Sequence, residues 1–244
     1  MIPMLVSIII PVYNEERYVS SVIDRVLAID LGFSGLDKEV IVVDDGSTDK
    51  SWGLISQFPP SIKKIHLEVN EGKGSALRRG FEEAEGELVL IQDADLEYDP
   101  KDYHELLRPL VEGRADIVYG SRFVGGQARR VLFFWHYLAN ICLTLLCNIF
   151  SNLNLTDMET GSKVFRKEAL NSISLRENRF GFESEVTLKL SQQGWRFYEI
   201  GISYNGRTYT DGKKISWKDA YRALFVIFRY GVGRRATTTT ARRK

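Results

Sequence analysis

The sequence predicts an α/β protein with a mostly parallel, doubly wound sheet and flanking helices, and three observations carry that prediction. Residues 6–13 and 39–44 are apolar, β-rich runs ending in polar residues, the pattern of buried parallel strands. Residues 15–29 between them have helical spacing, with Val19, Val22, Ile23, Val26 and Leu27 on one face. Strand and helix then alternate to about residue 120, as a doubly wound sheet requires.

The elements follow in order. The apolar start, MIPMLVSIIIPVY, lacks a basic leader and a small-residue cleavage site, so it reads as a first strand rather than a signal peptide. DDGSTDKSWGLI predicts a turn with Asp49 or Ser47 capping the next helix. Residues 64–69 form a short strand, and NEGKGSALRRGFEEA is a glycine turn entering a helix. A strand at 88–91, a helix at 101–111 and a strand at 117–119 complete this half. Ligands of such sheets collect at the carboxyl ends of the strands, where residues 11–15, 44–47 and 93–97 all fall.

Beyond Gly120 the pattern changes. Residues 131–150 carry no Asp, Glu, Lys or Arg, and His136, Asn140, Thr144 and Asn148 recur every four positions as one polar helical stripe. The length suits a membrane span, but globular patterning resumes afterwards, which favours a helix lying on a bilayer or packed on the domain. Residues 217–235 read as a basic amphipathic helix, suited either to an anionic membrane surface or to docking on the core. The polar tail 236–244 is expected to be disordered. The whole is expected to be one catalytic domain, 1–235, with a donor half (1–120), an acceptor half (121–215) and the helix at 216–235.

Composition limits the function. At 44% hydrophobic and 27% charged the chain is an ordinary globular protein, and a net charge of +1 supplies no global field for nucleic acid. Cys142 and Cys147 are five apart in an apolar run and are expected to be two buried free thiols.

The stretch LVLIQDADLEYDP sets Asp93, Asp95, Glu97 and Asp99 directly after an apolar strand. If the chain stays extended, alternate carboxylates share a face and repel unless a cation offsets them. Mg²⁺ or Mn²⁺, which takes oxygen ligands, would do so with Asp93, Asp95 and Glu97. Asp99 precedes Pro100 and reads as a helix cap. Glu15 and Asp45 sit on the same rim, and Lys73 in NEGKGS could reach a diphosphate, although that loop lacks phosphate-loop spacing.

SIIIPVYNEE, VIVVDDGSTD, NEGKGSALRRGF and DADLEYDP, in that order, resemble the family 2 glycosyltransferases. The resemblance implies the GT-A nucleotide-diphospho-sugar transferase fold, a Rossmann-like sheet with flanking helices, here with amphipathic membrane-interfacial helices added. GSRF, NLNLTDMETGSKVFR, FGFESEVTLKL and YNGRTYTDGKKISWKDAYRAL are similar to polyprenyl- and dolichyl-phosphate sugar synthases, and the likeness covers residues 5–231. It implies an inverting hexosyltransferase that uses a nucleotide sugar, UDP-glucose before GDP-mannose, with a divalent cation and a lipid-phosphate acceptor. Pro11, Tyr13, Glu15, Val43 and Asp45 would hold the nucleoside, and Asp93, Ala94 and Asp95 would flank the diphosphate and metal. Arg122 would face the reacting phosphates; Arg207 with Arg129 or Arg130 would receive the acceptor phosphate, with Lys213 nearby.

A phosphomonoester is already a nucleophile, so such an enzyme needs positioning and charge cancellation rather than a strong base. Were the acceptor a sugar hydroxyl instead, Asp157 would be the base candidate. An inactive membrane-bound scaffold is the reading from another class, and it gives no reason for the Asp93, Asp95, Arg122 and Arg207 set. The expected setting is the cytoplasmic face of a membrane, with peripheral attachment or an anchoring partner.

Overall fold

The computed structural model describes residues 4–125, 130–131, 133–207 and 217–232, with side chains from Ala220 onward in the last segment. Arg129 and Lys213 lie outside the described residues, as does the tail. Among the described residues seven strands, β1 (Met4–Val12), β2 (Leu36–Asp44), β3 (Lys63–His66), β4 (Leu88–Ile91), β5 (Ile117–Ser121), β6 (Lys163–Arg166) and β7 (Phe197–Gly201), form one sheet. Its order is β3-β2-β1-β4-β6-β5-β7. Only β6 runs antiparallel to its neighbours; the other pairs are parallel.

Alternation along the strands makes two cores. Ile8 and Ile10 of β1 face α1 (Val19–Ala28) and α4 (Tyr103–Val111), joining Val22, Ile23, Leu106 and Leu107. Ile9, with Ile41 and Val43 of β2, faces α3 (Lys73–Glu83) and α7 (Phe182–Ser191). Short helices α2 (Ser51–Ile55) and α6 (Lys167–Asn171) complete the layers.

Two expectations change here. The first helix begins at Val19, not at residue 15, because residues 15–18 form a turn whose Glu15 carbonyl accepts from Tyr18 and Val19. The break at residue 120 is not a structural boundary either. β6, from the second half, pairs between β4 and β5 of the first, so both halves share one sheet.

The apolar stretch becomes α5 (Phe134–Ser151), which packs with α8 (Trp217–Gly231) and α7. Its polar stripe faces inward. Asn140 donates to Asp157 Oδ1 (3.1 Å), Thr144 accepts from the Met158 backbone (3.1 Å), and Asn148 both donates to and accepts from the Leu155 backbone (2.7 and 3.1 Å). Its apolar side faces out: Phe133, Phe134, Trp135, Leu145 and Ile149 are exposed, as are Tyr221, Phe225 and Phe228 on α8. Among the described residues α5 is the one helix long and apolar enough to cross a membrane, with mean hydropathy 1.3 and 17% of it buried. Cys147 is buried but Cys142 is exposed, correcting the expectation of two buried thiols.

Candidate active site

A cavity of about 1240 Å³ opens at the carboxyl ends of β1, β2 and β4, bounded on its outer side by α5 and α8. Of the residues expected there, Pro11, Tyr13, Glu15, Asp45, Lys73, Asp93, Ala94, Asp95, Glu97, Arg122 and Arg207 all line it. Val43 does not. Strand alternation turns it into the core beneath α3, fully buried, so only its backbone could reach a ligand. Arg130 also stands apart, exposed, with Nη1 donating to the Gly206 carbonyl at 3.0 Å.

The acidic stretch does not stay extended. After β4 ends at Ile91 the chain turns, Leu96 takes the left-handed conformation (φ 60°), and Asp95 Oδ1 accepts from the Glu97 N–H at 3.1 Å. Non-glycine residues adopt that conformation at a cost of about 1 kcal/mol, so packing must impose it here. The carboxylates therefore form no regular row: Asp93 meets Lys73, while Asp95 and Glu97 both meet Arg207. Asp93 Oδ1 pairs with Lys73 Nζ at 2.8 Å. Glu97 accepts from the Tyr204 hydroxyl at 2.8 Å and from the Arg207 N–H at 2.7 Å. Asp99 caps the following 3₁₀ turn, accepting from the Lys101 N–H at 3.1 Å, as read from sequence.

Arg207 answers much of that negative charge. Its Nη1 donates to Glu15 Oε2 at 2.9 Å and its Nη2 to Asp95 Oδ2 at 3.1 Å, while its plane lies 5.4 Å from the Tyr18 ring centre. Its buried Nε has no hydrogen-bond partner among the described residues. Burial, then the neighbouring Asp93 and Glu97, pushes Asp95 up to about 7, and Arg207 pulls the other way. Asp93, Asp95 and Glu97 thus form no closed three-carboxylate cage, and among the described residues no three acidic, His or Cys side chains are gathered to hold a metal ion. What remains is a few hard oxygen atoms in a deep cleft. That donor set fits a divalent ion drawing its other ligands from a bound diphosphate and water.

Arg122 follows β5 and is held from below. Its Nε and Nη2 donate to the two Asp157 oxygens, each at 2.7 Å, and its backbone N–H donates to Asp157 Oδ2 at 3.0 Å. Asp157 is fully buried and accepts a further bond from Asn140. Burial alone would raise its carboxyl, but the guanidinium holds it below the usual carboxylate range. A carboxylate in that position is a poor base and does not line the cavity, so the role considered for a hydroxyl acceptor is not supported. Asp157 instead positions Arg122. The loop carrying it is fixed by the polar stripe of α5 and by Glu199 of β7, which accepts from the Thr156 and Asp157 N–H groups at 2.9 and 3.0 Å.

Asp45 is buried at the rim, where it accepts from the Asn70 side chain (2.8 Å) and from the Glu71 and Gly72 N–H groups (3.0 and 2.7 Å). It fixes the turn that launches α3. Gly72 must be glycine: its φ is 111°, and a side chain would strike the Asn178 carbonyl. Sequence reading passed over the lining residues Arg179 and Glu183, and it gave Glu159 a loop-holding or arginine-orienting role and Arg222 a place on the basic helix without setting either in the cavity. Glu183 and Glu185 fall in the first turn of α7, and both prove buried.

Residues 7–174 match the sequence model of the glycosyl transferase family 2. The chain belongs to that family. A dolichyl-phosphate beta-glucosyltransferase of Drosophila melanogaster is 30% identical to this family 2 chain over 249 residues, 93% of this chain and 76% of the relative. A dolichol-phosphate mannosyltransferase of Pyrococcus furiosus is 31% identical over 222 residues, covering 87% of this chain and 61% of the relative. A dodecaprenyl-phosphate galacturonate synthase of Rhizobium johnstonii is 27% identical over 69% of this chain and 50% of its own length. The chain thus spans less than two thirds of the length of the latter two. Glucosyl-3-phosphoglycerate synthase of Mycobacterium tuberculosis, solved with Mn²⁺ and UDP-glucose, superposes with a TM-score of 0.73 over 94% of this chain and 79% of that one. At 19% identity that likeness establishes the shared fold.

Proposed function

We propose that this chain transfers a hexose from a nucleotide sugar to the phosphate of a polyprenyl or dolichyl phosphate at a membrane surface. One observation carries the reading: a carboxylate-lined cleft holding Arg122 and Arg207, whose side chains are only 11% and 12% exposed, lies beside α5 and α8, whose outward faces are apolar. Anionic substrates need the guanidiniums, and a lipid tail needs the apolar exit. The Drosophila and Pyrococcus relatives, named for dolichyl- and dolichol-phosphate acceptors, support the same reading.

In this reading Pro11, Tyr13, Glu15 and Asp45 surround the nucleoside, with the Val43 backbone beneath. Asp93, Ala94 and Asp95 flank the diphosphate, and Lys73, already paired with Asp93, neutralises part of it. Asp95, with Asp93 or Glu97, would hold Mg²⁺ or Mn²⁺, which offsets the charge that develops on the leaving diphosphate. Arg122, oriented by Asp157, and Arg207, held among Glu15, Asp95 and Glu97, draw in the acceptor phosphate with Arg129 or Arg130 and Lys213. Arginine suits this task because its planar fork binds phosphate bidentately. An acceptor phosphate oxygen attacks the anomeric carbon, the bond to the diphosphate breaks, and the configuration inverts. No proton must be removed first.

UDP-glucose is favoured over GDP-mannose on the motifs GRTYTDGKKISWKD and LTDMETGSKVFR. The setting is the cytoplasmic face of a membrane, reached by α5 and α8 or through an anchoring partner, with residues 1–235 acting as one catalytic domain. Calorimetry with Asp95→Ala tests the donor half. Donor binding should depend on the metal in the parent chain and lose that dependence in the variant; unchanged metal-dependent binding would remove Asp95 from the cation.

A further inference from the structure

One buried carboxylate outside the scheme above joins the outer helix to the donor wall. Glu177, on the loop between α6 and α7, is 4% exposed. Its Oε2 accepts from Arg222 Nη2 at 3.0 Å, its Oε1 accepts from the Tyr230 hydroxyl at 3.3 Å, and Arg229 Nη1 lies 3.8 Å away. All three partners belong to α8.

The backbone of the same loop grips α3. The Glu177 carbonyl accepts from Arg78 Nη1 at 2.8 Å, and the Asn178 carbonyl accepts from the Ser75 N–H at 3.1 Å. The approach is so close that a side chain at Gly74 would strike the Glu177 carbonyl. This turn of α3 starts beside Gly72, whose N–H donates to Asp45. Glu177 therefore ties α8 on one side to the nucleoside wall on the other.

Seating of α8 is also what makes its outer face continuous with that of α5. Ala223, Val226 and Ile227 are buried, while Tyr221, Phe225 and Phe228 are exposed. Phe228 meets Phe150 of α5 edge-on, with ring centres 5.6 Å apart. A lipid surface that touches both helices at once thus favours the seated α8, and a ligand shifts an equilibrium by its difference in affinity for the two states. An unseated α8 would leave the Glu177 carboxylate without its counter-charges, which a loop relieves by moving toward water. That movement breaks the Arg78 and Ser75 bonds and frees the first turn of α3.

We propose that Glu177 is a positioning residue that couples the seating of α8 to donor binding, so that the chain holds its nucleotide more tightly on a lipid surface than in solution. This rests on the donor and membrane readings above and adds the link between them.

The test is calorimetry of the full chain with the nucleoside diphosphate it binds, UDP or GDP, in Mg²⁺ or Mn²⁺. Titrations are compared with and without vesicles of phosphatidylcholine and phosphatidylglycerol. In the parent, vesicles should tighten the nucleotide at least about fivefold, the lower end of ordinary coupling between sites. Glu177→Gln should still co-sediment with vesicles but show less than about a twofold effect of them on the nucleotide. Arg222→Gln should lose the effect in the same way, and Arg222→Lys, which keeps the charge, should retain most of it. A merely structural role would weaken the nucleotide alike in both conditions and leave their ratio unchanged. Nucleotide binding in solution reports that each variant is folded. A parent that binds vesicles and nucleotide independently, or a Glu177→Gln variant with the parent's vesicle effect, would overturn the coupling and leave both readings intact. A parent that binds no nucleotide would overturn the donor reading, one that binds no vesicles the membrane reading, and either result takes this inference with it.

Discussion

Arg207 sits at the junction of the two proposed substrates, paired with Glu15 and Asp95 and with its Nε 3.7 Å from Glu97. Arg207→Gln is expected to raise KM for a lipid phosphate at least about tenfold, the worth of a charge-assisted contact, with donor affinity changed far less. Steady-state kinetics with each substrate varied in turn measures this, and equal losses for both would remove Arg207 from the acceptor. Asp157 makes a second case. Asp157→Ala leaves the buried Arg122 guanidinium without its counter-charge, and urea denaturation should record a loss of about 3–5 kcal/mol. A loss under about 1 kcal/mol would mean that Arg122 finds another partner. At this scale sequence reading succeeded in naming residues and failed in pairing them. Asp93, Asp95, Arg122 and Arg207 were legible by type and motif. That Arg207 lies among the acidic residues, or that Leu96 turns the acidic stretch out of line, depends on packing between segments about 110 residues apart in the chain.

Among the elements, α5 carries the most information. Its four-residue polar recurrence was plain in the sequence, but its direction was not. The stripe faces the protein, where Asn140, Thr144 and Asn148 bind the loop that positions Asp157, and this leaves the apolar side outward. A soluble core helix would be oriented the other way. Replacing Phe134 and Trp135 together with serine removes two exposed aromatic groups, each worth about 1.5–3 kcal/mol when buried in an apolar phase. Vesicle co-sedimentation on anionic lipid should therefore fall at least about tenfold; undiminished binding would place membrane contact elsewhere. The first strands and helices were read within a few residues of their ends because period and polarity specify them directly. β6 was invisible as a sheet insertion, since no local pattern says which strand a four-residue segment will join.

Over the whole molecule, the buried acidic residues beneath the cavity tie stability to pH. Burial, then the nearby Glu183, pushes Glu159 up to about 8 from an ordinary 4.5. The folded chain therefore keeps a proton that the unfolded chain gives up as pH rises above about 4.5, and stability should decline from there to about pH 8. Glu159→Gln cannot lose that proton, so its stability relative to the parent should rise across the same window; parallel pH profiles from urea melts would contradict the shift. Lys163, lowered to about 8 chiefly by burial, acts in the separate range above that pH. The fold class and the crevice were readable from strand-end motifs alone, because doubly wound sheets bind at those ends. That Glu159 and Glu183 meet the same cavity was not readable, since it depends on how separate segments pack and no local pattern reports it.

The central claim is transfer to a lipid phosphate, and the most direct measurement supplies polyprenyl phosphate in detergent or vesicles with labelled UDP-glucose or GDP-mannose and Mg²⁺ or Mn²⁺. The account predicts a sugar-labelled lipid from one of the two donors, abolished by a chelator and restored by added metal. Labelled donor that binds and is consumed without any lipid product, or lipid product formed equally well in chelator, would contradict it.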